Sequence, residues 1–190
     1  MKHLAQHVVL AFAFGLLYFL SLLIQKEWVG SALYVGAISL FYLPAGVKLM
    51  AIMLGGWVGL AGVAVVALFY TSNLWPEPNW LPPVFTAVWA GVPFLSYHLC
   101  LRLMRLNVNL HGLNGMHVLA IALVVSYACS FASQGLLYAS GVDGREWLTS
   151  NVLAMGFGDF TGITALMLLL LLIKRRMHPQ AALGSANTDG

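Results

Sequence analysis

The chain has 190 residues, 61% of them hydrophobic and only 8% charged. Soluble domains carry about 25% charged residues, so this sequence lacks the polar surface a water-soluble fold would need. Its net charge of +3 comes with no basic stripe and no nucleic-acid motif. The basic residues cluster instead at the ends of apolar runs, where they set membrane topology, so no nucleic-acid partner is expected.

A membrane-crossing helix takes about 20 mostly apolar residues. In chain order such runs fall at 7–24, 30–54, 55–72, 83–105, 115–140 and 147–174. They predict an all-α, polytopic helical bundle of about six transmembrane helices over residues 1–174. Residues 175–190, polar and small, are expected to form a disordered cytoplasmic tail. The first run has a weak basic flank and no clean small-residue cleavage site, so it reads as a retained helix rather than a cleaved signal. The second and third runs meet at Gly55-Gly56 with almost no loop. Pro44-Ala45-Gly46 interrupts the second, which predicts a kinked or broken helix.

Lys2, the pair Arg102 and Arg105, and the run Lys174-Arg175-Arg176 flank spans one, four and six. Six crossings place all three on one side, which the excess of Lys and Arg marks as the cytoplasm. The expected location is therefore a bacterial inner membrane, with both termini cytoplasmic. Trp28, Trp75, Trp80 and Trp147 fall at the opposite boundary, where amphipathic rings favour the headgroup layer. The proline-rich stretch from Trp75 to Pro83 reads as an interfacial anchor or a cap over an outer cavity.

Ionisable groups inside spans cost roughly 2.5–3.5 kcal/mol on insertion scales, so each asks for a reason. Asp159, in Gly158-Asp159-Phe160-Thr161-Gly162, lies about 22 Å from the cytoplasmic end of its helix, near mid-membrane. An aspartate is too short to reach the headgroups from there, so it must face other helices. Ser126, Ser130 and Gln134 recur every four residues on span five, with Ser133 at similar depth, and that face is predicted to meet Asp159. The interaction reads equally as a polar clamp or as a functional site. Lys48 and His98 are placed about 10 Å from the cytoplasmic end. Lys48 is expected to snorkel toward the headgroups and His98 to be hydrogen-bonded inside. A direct Lys48–Asp159 contact would need a broken or shifted second span, since the two levels differ by about 13 Å. Gly158 and Gly162, like Gly55, Gly59 and Gly62, form small-residue stripes that let backbones approach.

Cys100 and Cys129 read as small buried hydrophobes. His7, His111 and His117 sit near interfaces and are not read as metal ligands. No phosphate loop, nucleophile elbow or paired catalytic carboxylates occur. The sequence therefore names no catalytic residue, no metal site and no cofactor, and no enzymatic activity is expected.

Two segments carry a family likeness. Phe41-Tyr42-Leu43-Pro44-Ala45-Gly46-Val47-Lys48 lies early, and Gly158-Asp159-Phe160-Thr161-Gly162 opens the last leucine-rich run. The arrangement resembles the MASE1 family of bacterial integral membrane sensor domains, in which an aromatic-Pro-Ala-Gly motif and a Gly-Asp-x-x-Gly motif recur. The resemblance implies that Pro44, Gly46, Gly158, Asp159 and Gly162 are motif positions. Family members are usually longer and feed a kinase or a cyclic-dinucleotide enzyme. This chain shows no output domain after span six, so it is expected to act through a partner. The expected function is a sensor-like module that binds a small ligand or a membrane partner. Its expected partners are the bilayer, a membrane or cytoplasmic signalling protein, and a second copy. The alternative is a small solute transporter or the substrate-binding subunit of one, since a broken helix with mid-depth polar groups suits a solute site.

Overall fold

The computed structural model describes residues 2–29, 34–35, 38–74, 79–106, 114–141 and 148–177. Helix α1 spans Lys2–Ile24 and passes into a π-helical turn, Gln25–Val29. Two-residue strands follow, β1 (Tyr34–Val35) and β2 (Ile38–Ser39), paired antiparallel. Then come α2 (Leu43–Leu74), α3 (Leu81–Leu103), α4 (Gly115–Ala139) and α5 (Leu148–Met177). Five of these helices are long and apolar enough to cross a membrane.

Their outward faces are apolar. Phe12, Phe69, Leu95, Phe131 and Leu172 are all exposed. A soluble protein does not present hydrocarbon on every side, whereas in lipid such a surface costs nothing. The fold is a multi-pass helical membrane bundle.

The second predicted span is corrected at its start. Helix begins at Leu43, not at residue 30, because Pro44 fits only the first turn of a helix, where no intrahelical N–H bond is required. Within α2 the backbone breaks at Gly56, with φ +54° and ψ −130°, a conformation that glycine adopts readily. The chain doubles back there. Gly59 lies directly against the Ala51 backbone, a contact that a straight helix could not make between residues eight apart. The two predicted spans are thus two arms of one hairpin, 43–55 and 57–74. The first arm is only about 20 Å long. At the tip, Trp57 packs on Phe94 with ring centroids 4.0 Å apart, and Gly55 faces the Phe14 ring. Helix α3 continues past Phe94 to Leu103, roughly 14 Å further, so the hairpin turns inside the bundle.

Glycines make the tight contacts. Besides Gly59, Gly62 abuts the Ala11 backbone in α1, and Gly15 faces the Gly62 carbonyl. Two apolar clusters fill the remainder. One joins Leu49 and Ile52 to Tyr97, Ile121 and Ile163. The other joins Tyr18, Val47, Ala51 and Val63 to Phe85, Trp89 and Cys129. Asn114 caps α4 by accepting from the His117 N–H at 2.9 Å. Helix α5 continues through the expected tail boundary to Met177. Trp75, Trp147 and the rest of the tail lie outside the described residues.

Candidate functional site: a charged core at the start of the hairpin

The first arm of α2 begins among three other segments. The Tyr42 N–H donates to the Gly158 carbonyl at 3.0 Å. The Gln25 side chain clamps the same turn: Nε2 donates to the Phe41 carbonyl at 2.9 Å, and Oε1 accepts from the Leu43 N–H at 3.0 Å. Gln25 thereby satisfies a helix-start N–H that has no intrahelical partner. Thr161 Oγ1 lies within hydrogen-bond distance of the Leu40 carbonyl, 2.8 Å, and the Gly158 carbonyl, 2.9 Å. Gly162 lies against the Tyr42 carbonyl, and a side chain at Gly46 would meet the Gly162 carbonyl at 2.6 Å. The two short motifs, far apart in sequence, therefore pack backbone against backbone.

This docking carries Lys48 and Asp159 into one core. Asp159 is 2% exposed and Lys48 1%, so the expected snorkelling of Lys48 is corrected. The broken span explains why. Because the first arm starts inside the bundle, Lys48 lies on its second turn rather than near the headgroups. Its ammonium sits 3.5 Å from the Trp89 ring centroid, 3.4 Å from the Trp89 carbonyl and 3.5 Å from Cys129 Sγ. The first contact is a cation–π interaction, worth about 2 kcal/mol or more when desolvated. Lys48 and Asp159 attract each other electrostatically, and Tyr18 and Cys129 also feel the Asp159 charge. The Tyr18 and Tyr42 side chains are hydrogen-bonded, and Tyr18 packs on Trp89 with centroids 5.5 Å apart.

Other predicted site residues fall elsewhere. His98 is half-buried, with Nδ1 bonded to its own helix at the Phe94 carbonyl, 2.9 Å, and its ring on Phe94. It lies roughly 13 Å along α3 from Trp89 and does not share a level with Lys48. The polar face of α4 is buried as expected. Yet among the described residues Ser126 and Ser130 Oγ and Gln134 Oε1 find no hydrogen-bond partner, Ser133 lies beside the Cys129 thiol, and Gln134 Nε2 reaches only Met155 Sδ at 3.5 Å. Among the described residues no hydrogen bond joins these serines to the Asp159 carboxylate.

His3 and His7, one helical turn apart on α1, stand at a ligand-like spacing, which corrects the expectation that none of the histidines does. Both are exposed, and among the described residues no group of three His, Cys, Asp or Glu side chains could hold a metal.

Gln25, Trp89 and Tyr18 belong to the core without having been singled out, and Cys129, expected as a small buried hydrophobe, is also a contact of Lys48. Trp89 carried a signal: it is a tryptophan well inside a span, away from the interfaces where tryptophans gather. Beside this core, Tyr18, Tyr42, Tyr70, Phe85 and Trp89 help to line a cavity of about 150 Å³.

These features define a helical membrane protein with two buried charged residues, Lys48 and Asp159, in one core at a discontinuous helix. No protein-family model, curated protein or solved structure matches the chain.

Proposed function

We propose that the chain is a sensor-like membrane module whose charged core binds a small ligand, or switches on contact with a membrane partner. One observation carries this reading. A helix that begins inside the bundle, next to a cavity, buries Lys48 in the same core as Asp159. A charge buried in a membrane is costly, and a packing-only helix has no use for one. A ligand that favours one placement of the first arm over another would shift a population of helix arrangements.

In this reading α1, α3, α4 and α5 cross a bacterial inner membrane, and the α2 hairpin enters and leaves from the outer side. That count is even, which keeps Lys2, Arg102, Arg105 and the Lys174–Arg176 run together on the cytoplasmic side, as their charge favours. The likeness to MASE1 sensor domains supports the same assignment through Pro44, Gly46, Gly158, Asp159 and Gly162, which meet at the start of the first arm.

The test is Asp159→Asn in native membranes, read by expression, thermal stability and crosslinked partner capture. A changed capture pattern in a stable variant supports the reading. Wild-type behaviour in all three measurements rejects it.

A second reading, the substrate-binding part of a transporter, is favoured by the discontinuous helix. Half-helix ends near the midplane are the usual ion and substrate contacts of carriers. Solute uptake by proteoliposomes containing this chain, abolished by Asp159→Asn, would select it over sensing.

A further inference from the structure

We infer that the aromatic cavity beside Trp89 is a cage for a small organic cation, of the methylated-ammonium class. This assignment rests on the ligand-binding reading above and names the ligand chemistry for the same site. Five of the nine side chains that line the cavity are aromatic: Tyr18, Tyr42, Tyr70, Phe85 and Trp89. Cavities of about 150 Å³ admit a benzene-sized guest, and the measured volume of about 150 Å³ suits a quaternary ammonium head with a short arm. Aromatic faces attract cations through the ring quadrupole, most strongly when water is excluded, and several rings around one void are the recurrent solution for quaternary ammonium.

Two further observations set this cavity apart from a greasy gap. The Trp89 ring already holds a cation, the Lys48 ammonium at 3.5 Å, so its π face is used electrostatically in this fold. A carboxylate, Asp159, is also buried in the same core and acts electrostatically on the lining residue Tyr18. A neutral apolar guest would use neither feature.

Lys48 is the obvious objection, because like charges repel. Its charge, however, is matched by that of Asp159. A cation entering the cage competes with the Lys48 ammonium for Trp89, and the displaced ammonium gains by moving toward the carboxylate. Binding is thereby coupled to a tighter contact between the first arm of α2 and α5. That displacement supplies the conformational output a sensor requires.

The experiment uses the full chain in lipid nanodiscs, with tetramethylammonium and choline as probes. The neutral isostere of choline, 3,3-dimethyl-1-butanol, is the control. Intrinsic tryptophan fluorescence and the unfolding midpoint are followed across each titration. The expected result is saturable binding of both cations, at least tenfold tighter than the isostere. Trp89→Leu should abolish it and Trp89→Phe retain part of it. Trp89 also touches Lys48, so Trp89→Leu can fail to fold. Tyr70→Leu, at a residue 41% exposed on the cavity wall, then serves instead, with an expected loss of at least fivefold. Equal binding of isostere and cation overturns the cation assignment, as does binding of neither probe. Both outcomes leave the sensor reading to its own test at Asp159.

Discussion

Removing the charges at Lys48 and Asp159 singly and together tests the electrostatic account of the core. Lys48→Met keeps the stem volume, since an unbranched thioether fits where the lysine chain lay. It deletes the ammonium contacts to the Trp89 ring, the Trp89 carbonyl and Cys129 and leaves the Asp159 charge uncompensated. In water-soluble cores the loss of one partner of a buried pair costs about 3–5 kcal/mol. Polar contacts within bilayers are weaker, about 0.6 kcal/mol on average and about 1.7 at most, because the unfolded helices find other partners. Three contacts and one stranded charge together give an expected loss of about 2–4 kcal/mol. Asp159→Asn should cost less, about 1–2 kcal/mol, since Lys48 keeps Trp89 as a partner. The double variant should recover at least about 1 kcal/mol relative to the sum of the single losses, within the range usual for contacting residues. The assay is reversible unfolding in mixed micelles of graded denaturing detergent, followed by tryptophan fluorescence. Additive single effects, with coupling below about 0.3 kcal/mol, would refute the claim that the two charges interact.

Five further outcomes are expected. Gly162→Ala places a methyl on the Tyr42 backbone, which cannot swing aside, so it should destabilise by about 1–3 kcal/mol. Gly135→Ala, where nothing lies within 4 Å, should instead gain up to about 1 kcal/mol of helix propensity; both are read by the same unfolding assay. Gly56→Ala also meets no atom within 4 Å, yet its φ of +54° should cost about 1–3 kcal/mol through backbone strain alone. Gln25→Ala leaves the Phe41 carbonyl and Leu43 N–H without their partner and should cost about 1–3 kcal/mol, with faster hydrogen exchange at Leu43. Single cysteines introduced at Trp80 and at Leu106, in a background lacking Cys100 and Cys129, should react with an impermeant thiol reagent from opposite sides of the membrane. Labelling from one side would reject the even crossing count.

Much of this arrangement was legible in the residues. Run length and the scarcity of charge announce the helices, and Gly55-Gly56 marks the reversal because two glycines without a polar loop leave few other ways to turn. Pro44 signals a helix start, yet apolar residues on both sides make 30–54 look continuous, because hydropathy measures transfer to lipid and not backbone conformation. That single ambiguity propagated. A helix running from residue 30 puts Lys48 in the cytoplasmic third, where a meeting with Asp159 is strained. Once the helix starts at Leu43, with Gly46 against Gly162, the difference in depth shrinks to about five residues of helix, roughly 7.5 Å, which a long lysine side chain largely spans. Trp89 and Cys129 were invisible as partners for a different reason. Both are ordinary core residue types, and only the path of a neighbouring helix decides whether a cation reaches them.

The position of Lys48 is fixed by backbone contacts more than by side-chain packing. The first arm is anchored where Tyr42 bonds Gly158, where Gln25 of α1 clamps Phe41 and Leu43, and where Gly46 and Gly162 abut. At its other end it reverses at Gly56, where φ is +54° and a side chain would meet no atom within 4 Å. Between these ends it is packed into both apolar clusters through Val47, Leu49, Ala51 and Ile52, so only a small tilt about its anchor is open to it. Lys48 lies one turn beyond that anchor, where a small tilt changes its distance to Asp159 on α5 while Trp89 and Cys129 stay with α3 and α4. Coulomb energy falls off slowly with distance in a low-dielectric core, whereas the cation–π contact with Trp89 requires close approach. The same small motion therefore trades one stabilising interaction for another, which is the physical requirement for an element with two placements of similar energy.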